Sequence, residues 1–243
     1  MSADVETLLH GLRTHMPVAL APFDAAAQRT GLVIVDEVNG FATVGAGPLA
    51  PPEPNPQVSR MVAETDRLAR RFAAEGWPIA AFLDTHIPGR PEPPYPPHCE
   101  RGTGQEELVP ELAWLHGCER ATLIEKDCIN GFVGAIDAEA GANRIVDWAR
   151  EGRVECALVV GICTDICVMD FVLTMLSARN HGLMPDLAEL VVYEPGCATY
   201  GLDRDAAEAL GLPETASHPQ PLAHHLGLYF MASRGARLAS EVR

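Results

Sequence analysis

The chain has 243 residues and carries 18 basic against 33 acidic side chains, a formal net charge of −15. Its 47% hydrophobic and 21% charged residues are the composition of a globular chain, and the length allows one large domain or two small ones. The carboxylate excess argues against nucleic acid and anionic membrane surfaces as partners, because both call for basic patches.

The start, Met1-Ser2-Ala3-Asp4-Val5-Glu6, lacks the basic n-region of a signal peptide. Residues 1–28 read as an N-terminal extension or helix. The first strand falls at 32–35, a continuous apolar run of the kind buried on both faces of a parallel sheet. A proline-rich loop, 40–56, follows. A helix is then marked by Val58, Met61, Val62, Leu68, Ala69 and Phe72, with Asn55-Pro56 as its start and Gly76 as its stop. Strand 79–83 leads into a second long loop, 87–105, with Pro88, Pro91, Pro93, Pro94, Pro96 and Pro97. Loops of this length are either disordered or functional, and proline stiffens them. Further strands fall at 121–124, 157–161 and 190–193. Ile145, Val146, Trp148 and Ala149 mark a helix closing near Gly152. Another begins at Thr164 or Asp165 and runs through Met169, Val172, Leu173 and Leu176 to His181-Gly182. His224-His225 are read as the surface of a last helix rather than as ligands. Strands alternating with helices predict an α/β fold with an open, mainly parallel sheet covered on both faces. With no repeat, charge run or linker, residues 1–243 read as one domain. The longest apolar run, 156–163, falls far short of the roughly 18 residues of a membrane span. Seven cysteines without an export signal predict free thiols and a cytoplasmic location.

In open parallel sheets, ligands bind beyond the carboxyl ends of the strands. Four predicted strands deliver chemistry to that edge: Asp36, then Asp84-Thr85-His86, then Lys126-Asp127, then Thr164-Asp165 with Cys167. Cys167 in the first turn of a helix would be favoured as thiolate by the helix dipole, and the free amides there could form an oxyanion hole. The competing reading is a small buried hydrophobe. Asp36 and Lys126 suit the base and cation that such a thiol requires, or a core ion pair. Asp84, His86 and His98 form a carboxylate–imidazole set suited to zinc, manganese or iron, or else solvated loop histidines. Cys163 and Cys167, four apart, could form a redox pair. The chain lacks a G-x-S-x-G elbow, a P-loop, a G-x-G-x-x-G after its first strand and H-E-x-x-H. Gly45-Ala46-Gly47-Pro48 lacks the third glycine of a phosphate-binding turn.

Asp36-Glu37-Val38-Asn39-Gly40-Phe41, Asp84-Thr85-His86, Pro96-Pro97-His98-Cys99, Lys126 and Gly161-Ile162-Cys163-Thr164-Asp165-Ile166-Cys167-Val168 occur in that order. Together they resemble the isochorismatase-like cysteine hydrolases and, within them, the plant-type nicotinamidases. The likeness runs from about residue 29 to the last helix. It implies a three-layer, Rossmann-like sandwich. Asp36, Lys126 and Cys167 match the family's catalytic triad. The backbone amides of Cys163 and Cys167 match its oxyanion hole, and the Ile162–Cys163 bond falls where the family has a cis peptide. Asp84, His86 and His98 match the ligands of one divalent metal, zinc with manganese or iron as alternatives. Phe41 and Tyr95 match aromatic positions around the substrate ring. Ile129 falls near a position where some bacterial members present a tyrosine. The resemblance implies hydrolysis of nicotinamide to nicotinate and ammonia through a cysteine thioester, in NAD salvage, by a homo-oligomer. The alternatives are a related amidohydrolase acting on maleamate, a carbamoyl amino acid or a hydroxynicotinamide, and a non-catalytic redox-responsive thiol protein.

Overall fold

The computed structural model describes residues 3–90 and 92–243, so Pro91 of the second long loop and the Met1-Ser2 start lie outside the described residues. The chain opens with α1 (Ala3–His15) and a short strand β1 (Leu20–Phe23), then enters β2 (Thr30–Val35). A single turn of helix, α2 (Asn39–Ala42), precedes α3 (Pro56–Glu75), and β3 spans Ile79–Asp84. After the long loop come β4 (Ala121–Lys126), α4 (Gly131–Gly134), α5 (Arg144–Glu151) and β5 (Cys156–Ile162). The remainder is α6 (Cys167–Asn180), β6 (Glu189–Ala198), α7 (Arg204–Ala209), α8 (Gln220–Ser233) and β7 (Arg237–Val242).

Among the described residues, seven strands form one parallel sheet in the order β1-β7-β6-β5-β2-β3-β4. Alternation along each strand divides the core in two. Val33 and Val35 of β2 face the layer built with Trp148 of α5, Phe171 of α6 and Leu228 of α8, while Leu32 and Ile34 face Met61, Leu68 and Phe72 of α3. Helix α3 is held as its sequence predicts. Asn55 Oδ1 accepts hydrogen bonds from the Gln57 and Val58 amides at 3.0 and 3.3 Å, a cap of about 1 kcal/mol, and Gly76 ends the helix at φ 73°. No helix among the described residues is long and apolar enough to cross a membrane.

Two expectations need correcting, and two strands were not foreseen. The 1–28 segment contributes edge strand β1 as well as a helix; with Pro22 inside it and three of its four residues exposed, β1 has no strand signature in sequence. Strand β7, between β1 and β6, went unpredicted for a related reason: exposed Arg237, Ser240 and Glu241 interrupt its apolar residues. Helix α6 begins at Cys167 rather than at Thr164 or Asp165. Residues 163–166 instead form a turn in which the Ile166 amide donates to Cys163 O at 3.0 Å and the Thr164 amide to Ala198 O of β6 at 2.8 Å. His224 and His225 are buried, not a helix surface: His225 Nε2 meets Met16 O, just after α1, at 3.0 Å, and His224 Nδ1 meets Thr164 Oγ1 of the turn after β5 at 2.8 Å.

From β2 the chain proceeds outward through β3 and β4, then returns to the other side of β2 and continues as β5 and β6. The reversal opens a crevice beyond the carboxyl ends of β2 and β5, where open α/β sheets bind ligands. At that point Gly161 has φ 128°, and a Cβ there would collide with Val35 O on the neighbouring strand. Only glycine lets these two strands approach so closely beneath the crevice.

Candidate active site

Strands β2, β3, β4 and β5 each lead into a side chain at this crevice. Asp36 follows β2 directly with φ 55°, a left-handed conformation rare outside glycine that turns the carboxylate back under the sheet edge, and its amide donates to Phe82 O at 3.1 Å. Asp84 ends β3 and Lys126 ends β4, paired with it in register. Gly134 of α4 leaves room for the Lys126 side chain, since a Cβ there would overlap it. Cys167 stands at the first position of α6, whose leading amides have no acceptor inside the helix.

Lys126 Nζ lies 2.8 Å from Asp36 Oδ2 and donates to Asp84 Oδ1 and Cys128 O, each at 2.9 Å. These side chains and Cys167 are almost wholly shielded from solvent, and that decides their protonation. Burial, reinforced by the Asp84 charge, raises the Asp36 carboxyl to about 6 against the pull of Lys126 and the adjacent Cys167 thiol. Burial also works against charge on Asp84, but Lys126 and the two histidines outweigh it and hold that carboxylate well below its usual range. Lys126 is likewise penalised by burial, yet the negative groups around it raise its pKa and keep it charged. Burial pushes the Cys167 thiol well above its ordinary 9, with Lys126 opposing only in part. Burial therefore works against the thiolate that the helix start would favour, so the thiol calls for a proton acceptor.

Asp84, His86 and His98 come together as a second cluster. The strand exit and the proline-rich loop are zipped by the His86 amide donating to Cys99 O and the Arg101 amide to His86 O, both at 2.9 Å, which returns His98 to the side of His86. Asp84 Oδ2 lies 3.1 Å from His86 Nε2 and 3.3 Å from His98 Nε2, and one ligand atom from each residue falls within 4.8 Å of the others. Yet Asp84 Oδ2 and His86 Nε2 make no hydrogen bond of regular geometry. His98 Nδ1 donates to Pro96 O at 2.8 Å, which turns its Nε2 lone pair inward. Buried, converging lone pairs from a carboxylate and two imidazoles are what a divalent transition metal takes, so these residues fit one.

The pocket above both clusters is lined by Asp84, His98, Cys163 and Cys167, with Phe41, Leu49, Tyr95, Ile129, Ile162, Ile166 and Tyr200 as its largely apolar wall. The Phe41 and Tyr95 rings flank His98, with centroids at 5.6 and 6.0 Å. The Ile162–Cys163 peptide bond is cis. The predicted site residues thus all meet at one crevice: the triad candidates, the three ligand candidates, the two aromatics and the turn from Cys163 to Cys167. Sequence reasoning missed Glu92, whose Oε2 lies 3.6 Å from His86 Nε2 and 3.7 Å from His98 Nε2 while its Oε1 accepts from the Ile129 amide at 2.9 Å. It also missed Tyr200, for which a lone tyrosine after a strand offers no signal.

Comparison with known proteins agrees with this architecture. The isochorismatase domain profile matches residues 30–212. Nicotinamidase 1 of Arabidopsis thaliana is 48% identical across 99% of this chain and 98% of its own length. Among solved structures, nicotinamidase PncA from Bacillus subtilis aligns with a TM-score of 0.65 at 22% identity, covering 87% of this chain and 100% of that one. The pyrazinamidase of Pyrococcus horikoshii in complex with zinc aligns with a TM-score of 0.59 at 21% identity, covering 86% and 98%. At such identities the structural likenesses speak for the fold. With the profile spanning most of its length, the chain belongs to the isochorismatase domain family.

Proposed function

We propose that this protein is an amidohydrolase that converts nicotinamide to nicotinate and ammonia, in NAD salvage. One observation carries the reading: a buried thiol, a carboxylate raised toward neutrality and a permanent cation share a crevice with an Asp–His–His ligand set under an aromatic-flanked pocket. The full-length likeness to a relative named Nicotinamidase 1 supports the substrate.

In the proposed mechanism Asp36 accepts the Cys167 proton. The transfer leaves Asp36 neutral and Cys167 as thiolate, a charge that a dry site would penalise and the Lys126 ammonium stabilises. The thiolate attacks the carboxamide carbon, and the oxyanion takes hydrogen bonds from the Cys163 and Cys167 backbone amides. Asp36 returns the proton to the nitrogen as the C–N bond breaks and ammonia leaves. Water, deprotonated by Asp36, then attacks the thioester; the C–S bond breaks and nicotinate and the Cys167 thiol are released. Asp84, His86 and His98 would hold a divalent ion, zinc by the chemistry of the set, and that ion would supply a Lewis-acid anchor for the pyridine nitrogen. Phe41 and Tyr95 exclude water and orient the ring, which is chiefly a proximity effect. The same reading extends to a cytoplasmic homo-oligomer.

The test is ammonia release from a panel of nicotinamide, pyrazinamide, maleamate, N-carbamoylsarcosine and hydroxynicotinamides, with and without chelator. Chelator-sensitive release with nicotinamide preferred is the expected result. Preference for maleamate or a carbamoyl amino acid would overturn the substrate, and no release from any amide would overturn the enzyme class.

A further inference from the structure

A second polar cluster backs the pocket wall, and its hydrogen bonds dictate a charge state. His218 Nε2 lies 2.8 Å from Asp165 Oδ2, and His218 Nδ1 lies 2.9 Å from Tyr200 O. Both partners can only accept. A neutral imidazole has one donor nitrogen, so satisfying both contacts requires both nitrogens protonated. The Tyr200 ring stacks on this imidazole, centroids 3.9 Å apart and planes 10° from parallel, which is the arrangement a cation over an aromatic face favours. Tyr200 in turn lines the pocket beside Cys163 and Cys167, and Asp165 lies in the turn between them.

We propose that His218 is a positioning residue that, as an imidazolium, clamps the Tyr200 wall to the turn preceding Cys167 and so sets how tightly the substrate ring is held. The inference takes the carboxamide substrate from the reading above; the charge state of His218 does not depend on it. Asp165 is anchored a second time, by Thr199 Oγ1 at 2.6 Å, so loss of the clamp would leave the turn in place. Tyr200 loses its stacking partner and the donor to its carbonyl at once. The consequence falls on substrate binding rather than on the chemical step.

The titratable groups facing His218 are Asp165 from the turn after β5, with Cys163 close behind, and Tyr200 from the segment after β6. Burial works against the imidazolium, but the Asp165 hydrogen bond and charge outweigh it and raise His218 above its ordinary 6.5. Cys163, raised by burial to about 12, and Tyr200, raised further still, stay neutral through the range in which His218 titrates. The clamp is therefore engaged below the raised His218 value and released as pH climbs through it.

Two measurements on the intact protein decide this. Nitrogen-15 NMR of the His218 imidazole near pH 6.5 should show both nitrogens protonated; a single unprotonated nitrogen overturns the proposal whatever the substrate. In steady-state kinetics, His218→Gln should raise KM for nicotinamide about tenfold with kcat within about twofold of wild type, and abolish the alkaline rise in KM. His218→Arg, a planar cation able to pair with Asp165 and stack on Tyr200, should restore KM to within about threefold. A fall in kcat at unchanged KM, or a Gln variant whose KM retains the wild-type pH profile, overturns the positioning role. Should the Gln variant not fold, the NMR result and the wild-type KM profile still decide. Absence of ammonia release from the wild type would count against the proposed substrate, while the NMR measurement would still decide the charge state of His218.

Discussion

Lys126 Nζ sits 2.8 Å from Asp36 Oδ2 with both side chains wholly buried. The ammonium does not belong to Asp36 alone, since it also bonds Asp84 and thereby joins the two clusters of the site through one cation. Removing it leaves two carboxylates facing each other in a dry interior. Lys126→Met is therefore expected to destabilise the fold by about 3–5 kcal/mol, measured by urea unfolding. Its kcat should fall about 10²–10⁴-fold if Lys126 supports the proton transfer. A stable variant with full turnover would remove Lys126 from the mechanism.

The Cys167 thiol, raised by burial, is expected to react slowly with iodoacetamide at neutral pH. Its alkylation should accelerate about tenfold per pH unit through pH 9, because thiolate forms only as the medium approaches the elevated value. Cys167→Ala should lower ammonia release by at least about 10³-fold while retaining the wild-type melting profile. Rapid, pH-independent alkylation of Cys167 would mean that the thiolate already exists at rest and that Asp36 is not its base.

Asp84, His86 and His98 present converging lone pairs, two of them on atoms without a hydrogen bond. Chelation should strip about one equivalent of divalent metal per chain and abolish ammonia release, with zinc restoring it. His98→Ala is expected to weaken metal retention about 10–100-fold or more by equilibrium dialysis. Glu92, close to both imidazoles, should matter less than His98, because its other oxygen is committed to the Ile129 amide. Equal metal retention in wild type and His98→Ala would dismiss His98 as a ligand.

The legible parts of this molecule are those in which local pattern and tertiary role coincide. β2, β3 and β5 are buried along their whole length because both faces of the sheet are covered there, and Leu123-Ile124 still marks the more open β4. A polar residue directly after such a run has to lie at the sheet's carboxyl edge, so Asp36, Asp84 and Lys126 could be placed from sequence. Strands β1 and β7, at one side of the sheet, are half-solvated and interrupted by Pro22 and by Arg237 and Glu241, so no run survives to mark them. Glu92, Tyr200 and His218 belong to segments whose positions depend on what they pack against. His218 acquires its meaning only when Asp165, more than fifty residues earlier, reaches it. The same applies to His225, which meets Met16 from the opposite end of the chain, and to His224, which meets Thr164.

Glu37, next to Asp36 and wholly buried, supplies a pH dependence independent of catalysis. Its Oε1 accepts from Thr65 Oγ1 at 2.6 Å, while Oε2 has no hydrogen-bond partner. Burial raises its carboxyl well above 4.5, with the Thr65 hydrogen bond opposing and the Glu111 charge adding. Between 4.5 and the raised folded value, the unfolded chain has released this proton and the folded chain has not. Stability from this group must therefore be full below 4.5 and decline as pH rises, until the folded value is passed. Glutamine is neutral in both states and keeps an acceptor for Thr65. Glu37→Gln should match wild type within about 1 kcal/mol near pH 4.5 and become the more stable as pH rises, by about 1.4 kcal/mol per pH unit until the folded value is passed. Urea unfolding of both proteins across that range isolates the effect, since every other titrating group is common to the pair. Parallel stability profiles would place an ionised Glu37 in the folded state, and with it a counter-charge or water at Oε2.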